Sequence, residues 1–208
     1  KVIQGIKQNA PNDEQAGAFE IPNYLQFLLD NNFLGNKSGQ GFYKKTKEKD
    51  EKGKSVILAL NLETLEYEKQ VKPDLPSLKT AKQIDDLDKR VQAMFNADDK
   101  GGELIRRSLA GLFAYVSNRI PEISDNLYSI DDALRAGFAW EMGPFEYWET
   151  VGIAEGIKQA ESQGETVAQW VKEMLDAGNE SFYKREGGKK LYYDIDSKSY
   201  QPVPGTEE

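Results

Sequence analysis

The stretch "SIDDALRAGFAWEMGPFEYWETVG", Ser129–Gly152, decides the fold because it carries two helix starts and a dense group of aromatic residues. Ser129 and Asp132 have the spacing of a capping box, which predicts the start of one helix. Pro144 suits a first helical position, and Glu146 then lies in a first turn, where the helix dipole favours an acidic side chain. The sequence therefore predicts two consecutive helices joined by a glycine-containing turn.

The segments on both sides of this stretch are also predicted to be helical. Residues 77–95, "SLKTAKQIDDLDKRVQAMF", carry an apolar stripe near the helical period. Residues 102–120, "GELIRRSLAGLFAYVSNRI", form a strongly apolar helix that Pro121 ends or kinks. Residues 166–178, "TVAQWVKEMLDAG", open with Thr and Gln at capping-box spacing. The sequence predicts about five helices between residues 77 and 177, followed by a small β-hairpin.

A pattern near the C-terminus occurs a second time near the N-terminus. Residues 25–45, "LQFLLDNNFLGNKSGQGFYKK", and residues 170–190, "WVKEMLDAGNESFYKREGGKK", both run from an apolar helix ending in Leu-Asp to Phe-Tyr-Lys. Residues 61–67, "NLETLEY", then align with residues 194–200, "DIDSKSY". The pattern predicts a charged loop, a strand, a turn and a strand in each copy. We interpret the repeated aromatic residues as anchors that fasten a β-hairpin to a helical body.

The segment "SGQGFYKK", Ser38–Lys45, raises the alternative of a phosphate-binding glycine loop. Such a loop follows a strand and opens a helix, so that backbone N–H groups and the helix dipole face the phosphate. Here Gly39 and Gly41 follow a predicted helix, and the second copy has Glu180 and Ser181 near the same place. The glycines are therefore interpreted as a turn after a helix C-terminus.

The N-terminal third of the chain has weaker signals. Residues 1 to about 20 are predicted to be irregular, residues 21–33 a helix, and residues 54–70 two strands. The stretch "KPDLPSL", residues 72–78, has two prolines and reads as a linker. The sequence therefore predicts two domains, residues 1–72 and residues 73–208.

Composition excludes several classes of chemistry. The net charge of −8 over 208 residues disfavours general binding to nucleic acid or anionic membranes, and no apolar run is long enough to span a bilayer. The chain has no His and no Cys, which excludes Ser-His-Asp triads, thiol nucleophiles, disulfides and the common metal sites. We expect no metal and a cytoplasmic location. Because the chain begins with Lys1 instead of Met, we expect a fragment or a processed product.

The segment "AYVSNRIPEISDNLYSIDDALRAGFAWEMGPFEYWETVG", Ala114–Gly152, resembles the C-terminal domain of 3-hydroxyacyl-CoA dehydrogenases. The matching positions are Asn118-Arg119, Asp131-Asp132-Ala133, Gly137, Trp140, Gly143-Pro144-Phe145-Glu146 and Val151-Gly152. Residues 31–45, "NNFLGNKSGQGFYKK", are similar to the ending of the same domain. Residues 1–72 would then be the C-terminal part of a first helical domain and residues 73–208 a second, nearly complete copy. This tandem arrangement resembles the multifunctional β-oxidation enzymes.

The resemblance implies a mainly α fold, namely a helical domain like the C-terminal domain of 6-phosphogluconate dehydrogenase, with small β-hairpins and a second half-copy at the N-terminus. It also implies that the chain is the substrate-binding and assembly portion of an NAD-dependent enzyme, which oxidises 3-hydroxyacyl-CoA to 3-ketoacyl-CoA. An upstream domain would hold NAD and the catalytic His, so the fragment would hold no cofactor and would be inactive alone. The implied partners are acyl-CoA with that upstream domain, and a homodimer or tandem-domain packing.

Three residues are candidates for the substrate site. Asn118 matches the family's substrate-site Asn, although a backbone clamp or helix cap is the alternative for an Asn beside a helix end. Trp140 and Phe145 are candidates for a wall along the acyl chain, and helix docking in the core is the alternative for them. Glu141 and Glu146 are interpreted as solvated or capping carboxylates instead of an acid–base pair.

The alternative function is a free-standing, non-catalytic helical interaction module with the same fold. It is motivated by the absence of His, of a dinucleotide-binding glycine fingerprint and of a supported acid–base pair. A third hypothesis is a helical domain of a related 6-phosphogluconate or hydroxyacid dehydrogenase. The tandem copy and the Phe-Tyr endings argue against it.

Overall fold

The computed structural model describes residues 2–13 and 16–206. Contacts between residues divide the chain into two compact units, Lys1–Pro73 and Asp74–Glu208. The described residues are mainly helical, with two small antiparallel sheets of three strands each. The predicted mainly α fold class is therefore confirmed.

The described residues of the first unit include two α-helices and three strands. They are α1 (Val2–Asn9), α2 (Asn23–Asp30), β1 (Tyr43–Lys49), β2 (Ser55–Leu60) and β3 (Tyr67–Lys69). Short 3-10 helices cover Ala16–Phe19 and Asn36–Ser38. Neighbouring strands in the order β1-β2-β3 pair antiparallel, with Tyr43 opposite Ala59 and Leu60 opposite Tyr67.

Within residues 74–206, the second unit has seven α-helices followed by three strands. The helices are α3 (Pro76–Ala81), α4 (Leu87–Phe95), α5 (Lys100–Asn118), α6 (Leu127–Phe138), α7 (Pro144–Val151), α8 (Ile153–Ser162) and α9 (Gln169–Asp176). The strands are β4 (Tyr183–Glu186), β5 (Lys189–Asp194) and β6 (Ser199–Pro202), in the order β4-β5-β6.

The core of the second unit is built around Trp148 on α7. Its ring stacks on Phe113 of α5, with 4.9 Å between the ring centroids and 4° between the planes. The indole N–H donates to the carbonyl of Ile153 at 3.0 Å, so the buried polar atom is satisfied. Phe145 and Phe182 complete the cluster, with ring centroids 5.1 Å apart and neither side chain exposed. The C-terminal sheet is thereby fastened to the helices through an aromatic side chain.

In each sheet, the middle strand also donates a backbone hydrogen bond to the phenylalanine that immediately precedes the first strand. In the first sheet, the N–H of Leu60 donates to the carbonyl of Phe42 at 2.8 Å. In the second sheet, the N–H of Tyr193 donates to the carbonyl of Phe182 at 2.7 Å. The repeat seen in the sequence is therefore also a structural repeat, and Phe42 occupies the place of Phe182.

The turns of the two sheets are equivalent as well. Asn61 and Asp194 accept backbone N–H groups with their side chains, at 2.9 Å from Glu63 and 2.8 Å from Ser197 respectively. Four residues after each, Leu65 and Lys198 adopt positive φ, at 62° and 52°. These turns use a short polar side chain to bond the backbone locally. The tyrosines that follow, Tyr67 and Tyr200, donate their hydroxyls to the carbonyls of Gly41 and Ser181.

The prediction of a charged loop before each hairpin was wrong, because those residues form strands β1 and β4. Lys45 pairs with Ile57, and Arg185 pairs with Lys190. Both strands lie at the edge of their sheet, where charged side chains are common because they discourage pairing with other chains. Main-chain pairing stabilises these segments although they lack an apolar face.

The prediction that residues 1 to about 20 are irregular was also wrong. Val2–Asn9 form the helix α1. The helix predicted over residues 77–95 is divided into α3 and α4. The division follows from Asp86, whose carboxylate accepts the N–H of Lys89 at 2.9 Å and thereby caps a new helix.

Neither predicted capping box is formed. α6 starts two residues before Ser129, and the side chain of Asn126 caps it by accepting the N–H of Ser129 at 2.9 Å. At the start of α9, the N–H of Ala168 donates to the hydroxyl of Ser117 at 3.1 Å. A side chain of α5, and not Thr166, therefore accepts from the backbone at this helix end. The predicted start of α7 at Pro144 is confirmed.

Candidate functional site

Asn118, the candidate substrate residue, lies at the C-terminal end of α5. Its side-chain NH₂ donates to the carbonyl of Ala114 at 2.8 Å and to the carbonyl of Thr166 at 2.7 Å. Both donors are thus used on the backbone, and they join the end of α5 to the segment before α9. This geometry supports a clamp, and a role of Asn118 in substrate binding stays a prediction.

Trp140 and Phe145 occupy different environments. Phe145 has no exposed surface and packs among the rings of Trp148, Trp170 and Phe182. Its geometry supports the core interpretation. Trp140 is partly exposed and lines a cavity of about 610 Å³. Of these two aromatic candidates, Trp140 has the surface that a ligand could contact.

The cavity is formed by α4, α5, the loop before α7 and the first turn of α7. Its walls are mostly apolar, and they include Val91, Met94, Ile105, Leu109, Leu112 and Trp140. Arg90 and Glu141 also line the cavity, and a nitrogen of Arg90 lies 3.7 Å from a carboxylate oxygen of Glu141. Apolar walls with few polar groups are typical of small-molecule sites.

Glu141 and Glu146 have separate partners. Glu146 accepts the N–H of Gly143 at 2.9 Å, which confirms that it caps α7. It also accepts from Lys190 at 2.8 Å and from the guanidinium of Arg135. Burial raises the pKa of Glu146, but the hydrogen bonds from Lys190, Gly143 and Arg135 outweigh it and hold that pKa below its usual value. A carboxylate held in this way is a structural anion and not a proton acceptor.

Asp131 was not singled out from the sequence, although it lies inside the matching segment. Its carboxylate is fully buried on α6. One oxygen accepts the N–H of Phe145 at 2.8 Å, and the other accepts the hydroxyl of Tyr183 at 2.6 Å. Burial raises the pKa of Asp131 to about 7, against the lowering effect of these two hydrogen bonds. Asp131 therefore links α6 to the start of α7 and to strand β4.

A signal for Asp131 was present in the sequence. Leu127 and Asp131 are four residues apart and both are fully buried, so they share one helix face. A charge on the buried stripe of an amphipathic helix indicates a paired or catalytic group. Gly143 packs directly against the Asp131 side chain. A Cβ at position 143 would lie 2.3 Å from that side chain, so the contact requires glycine.

A second, partly buried carboxylate connects α7 to the sheet. Glu149 accepts the N–H of Tyr183 at 2.7 Å. Burial raises the pKa of Glu149 above its usual value. Burial and the neighbouring Asp131 carboxylate raise the pKa of Tyr183, so its hydroxyl remains a donor at neutral pH. Asp131 and Glu149 thus hold the first residue of β4 from two helices.

Arg119 pairs with Glu122 at 2.6 Å, and its guanidinium lies 4.9 Å from the ring centroid of Tyr115. The salt bridge joins residues three apart at the end of α5. It has the geometry of a local structural contact.

The glycines around Ser38 form a turn. The hydroxyl of Ser38 accepts the N–H of Leu34 at 2.7 Å and lies 3.2 Å from the carbonyl of Gly35. Gly35 and Gly39 have φ of 93° and 83°, which glycine adopts without strain. The backbone groups thus serve the turn itself, as expected from the sequence.

Cofactor and metal binding have little support among these side chains. No group of three or more Asp, Glu, His or Cys side chains within residues 2–13 and 16–206 is arranged to hold a metal ion. No segment of the sequence has the strand, GxGxxG and helix order that places a dinucleotide pyrophosphate. None of the helices in the described part of the chain is long and apolar enough to cross a membrane.

Comparison with known proteins identifies relatives of this chain. It is 36% identical over 193 residues to a Bacillus subtilis protein named "Probable 3-hydroxyacyl-CoA dehydrogenase", and the match covers 93% of the chain and 23% of that protein. A Rickettsia felis protein, named as a fatty acid oxidation complex trifunctional enzyme, is 27% identical over 122 residues. That match covers 59% of the chain and 15% of the relative. A Rickettsia prowazekii protein of the same name is 24% identical over 129 residues, which cover 62% of the chain and 16% of that protein.

The chain spans about a quarter or less of the length of these relatives. No protein-family profile matches the chain, and no solved structure matches it. The similarity extends over both units and includes the segment whose residues carried the resemblance. The predicted resemblance is confirmed: the chain is related to proteins named 3-hydroxyacyl-CoA dehydrogenase and fatty acid oxidation trifunctional enzyme.

Proposed function

We propose that the chain is the substrate-binding and assembly portion of an NAD-dependent 3-hydroxyacyl-CoA dehydrogenase of fatty acid β-oxidation. The observation that carries the proposal is the 36% identity to the Bacillus subtilis relative over 93% of the chain. The parent enzyme oxidises 3-hydroxyacyl-CoA to 3-ketoacyl-CoA and holds NAD in a domain outside this chain. Residues 1–208 alone do not turn over substrate, because they contain no His to accept the proton.

The domain assignment belongs to the same proposal. Residues 1–72 are the C-terminal part of a first helical domain, and residues 73–208 are a second, nearly complete copy. The exposure of one repeated side chain supports this assignment. Phe182 is 0% exposed against the helices of its unit, whereas the equivalent Phe42 is 45% exposed. A helical body like α7–α9 would cover Phe42 in a complete first domain.

The proposed partners are acyl-CoA, the NAD-binding domain and a tandem or homodimeric neighbour. The trifunctional names of the Rickettsia relatives support a multidomain enzyme. A cytoplasmic location, and contacts of Asn118, Trp140 and Phe145 with substrate, stay predictions. For Trp140 the cavity supports contact with an acyl chain.

The test compares residues 1–208 with the complete protein from which they come. Each is incubated with NAD and 3-hydroxyacyl-CoA, and NADH formation is followed by absorbance. We expect NADH only with the complete protein. A complete protein that is folded and binds NAD but forms no NADH would reject the proposal. A parent gene that encodes nothing beyond these residues would favour the non-catalytic interaction module.

A further inference from the structure

The first unit carries an apolar groove that its own described residues leave open. The groove measures about 240 Å³ and is lined by α2 and residues 33–42, with Leu25, Leu28, Phe33, Leu34 and Phe42 in its walls. Leu34 is 59% exposed and Phe42 is 45% exposed. A group of apolar side chains that faces solvent in this way is typical of a site that binds another protein segment.

The second unit shows what such a groove receives, because the two units repeat one arrangement. In the first unit, the ring of Tyr24 in α2 lies 6.2 Å from the ring of Phe42. In the second unit, the ring of Trp170 in α9 lies 5.9 Å from the ring of Phe182. The helix α2 therefore takes the place of α9, as Phe42 takes the place of Phe182.

In the second unit, one helix, α7, covers the equivalent surface. The rings of Phe145 and Trp148 lie 5.1 Å and 5.3 Å from the ring of Phe182. Glu149, the next residue, accepts the N–H of Tyr183 at 2.7 Å. The contacts thus come from an aromatic residue, a second aromatic residue three positions later and an acidic residue directly after it. This spacing places all three side chains on one helix face.

The first unit has the donor that such a helix would meet. Tyr43 and Tyr183 hold equivalent positions, each directly after the phenylalanine that accepts from the middle strand. The N–H of Tyr183 is directed to α7, so the N–H of Tyr43 is directed to the open side of the first sheet. Tyr43 is 58% exposed and makes no hydrogen bond to a side chain within residues 2–13 and 16–206. A carboxylate on the covering helix would complement this donor.

We infer that this groove binds a helix outside residues 1–208 with the pattern aromatic, two residues, aromatic, acid. Its aromatic side chains would pack on Phe42 and Leu34, and its carboxylate would accept from Tyr43. The inference deepens the domain assignment of the proposed function, on which the location of this helix in the same protein rests. The match covers 23% of the Bacillus subtilis relative, so a protein of that length has room for such a helix. The same groove of a second copy fits less well, because its walls carry no acidic side chain.

The first test asks whether the groove is covered in the complete protein from which the chain comes. Leu34→Cys is introduced into residues 1–208, which contain no cysteine, and into the complete protein. Modification of that position by a maleimide is followed by peptide mass spectrometry. We expect it to be at least about tenfold slower in the complete protein, because the docked helix must open first. Val71→Cys, at a position that is 87% exposed and outside the groove, is the control and should react equally in both.

The second test examines the pattern of the helix. A fluorescein-labelled peptide of residues 142–153, "MGPFEYWETVGI", supplies the α7 pattern and is titrated into residues 1–208, with binding followed by fluorescence anisotropy. We expect saturable binding, which Trp148→Ala in the peptide weakens more than about tenfold and Glu149→Gln about threefold. Thr150→Ala in the peptide is the control, since Thr150 contacts Asp88 instead of the sheet, and should leave the affinity within about twofold.

Several results would overturn the inference. Equal modification of Leu34→Cys in the two proteins would reject it. Protection that is present in residues 1–208 alone and grows with protein concentration would show that a second copy covers the groove. Absence of peptide binding, or equal effects of the Trp148 and Thr150 changes, would reject the pattern. The two proposals fail separately: a protected groove in an inactive complete protein rejects only the dehydrogenase, and an active protein with an unprotected groove rejects only the docking helix.

Discussion

At the scale of single residues, Asp131 is an acidic group with no exposed surface. Its carboxylate is fully buried and touches Phe145 and Tyr183 through hydrogen bonds. Burial raises its pKa from the ordinary 3.8 to about 7. A carboxyl with a raised pKa binds its proton more tightly in the folded protein. Its contribution to stability is therefore full below about pH 4 and is lost as the pH rises to about 7.

This linkage predicts the behaviour of Asp131→Asn. Asparagine can still accept from Phe145 and can donate to the Tyr183 hydroxyl, but it does not titrate. Between about pH 5 and pH 8, the wild-type free energy of unfolding should fall relative to that of the variant by about 2–3 kcal/mol. Urea unfolding at both pH values measures this difference. Asp132→Asn, at an exposed neighbour, is the control, and a pH-independent difference for Asp131→Asn would contradict the assignment.

Asn118 permits a separate prediction. Asn118→Ala removes the donors to Ala114 and Thr166, and we expect the free energy of unfolding to fall by about 1–2 kcal/mol. Asn96→Ala, at an exposed position after α4, should change it by less than about 0.5 kcal/mol. Urea unfolding measures both. A raised KM in the complete enzyme with unchanged stability would instead show that Asn118 contacts substrate.

At the scale of elements, α7 and α8 are brought together by a glycine. A Cβ on Gly156 would lie 2.2 Å from the indole nitrogen of Trp148 and 3.1 Å from the ring of Phe113. The Trp148 ring cannot move away from such a Cβ, because it stacks on Phe113 and its indole N–H donates to the carbonyl of Ile153. Glycine at this position thus sets the distance between the two helices.

Gly156→Ala should therefore lower the free energy of unfolding by about 2–3 kcal/mol through overpacking. Gly111→Ala is a matched control, because Gly111 lies inside α5 and a Cβ there meets nothing within 4 Å. That variant should stabilise the protein by about 0.5–1 kcal/mol through helix propensity. Thermal unfolding by circular dichroism compares them. Equal effects of the two variants would contradict the packing argument.

The elements also show which features a sequence can predict. Apolar periodicity located the helical region, and Pro144 fixed the start of α7. The two capping boxes failed for different reasons: α6 starts two residues earlier and is capped by Asn126, whereas at α9 the N–H of Ala168 donates to the distant Ser117. Strands β1 and β4 were missed because edge strands need pairing partners and not an apolar face. The spacing of Asp131 from Leu127 could be read in the sequence, but its burial could not, because that burial depends on β4, which lies about fifty residues further along the chain.

At the scale of the whole molecule, each unit has its own sheet, and the large aromatic core lies in the second unit. All three tryptophans, at positions 140, 148 and 170, belong to that unit. Its buried core includes Phe113, Phe145, Trp148 and Phe182, each with essentially no exposed surface. A core of this kind is the usual condition for a domain that folds by itself.

We therefore expect a protein of residues 74–208 to fold without residues 1–73. It should keep the near-ultraviolet circular dichroism of the stacked Trp148 ring and unfold in urea in a single transition. The control is Phe182→Ala in the same shortened protein, which should lose about 3–5 kcal/mol because a fully buried ring is removed from the cluster. Loss of the near-ultraviolet signal in the unsubstituted shortened protein would show that the first unit is required for this core to form.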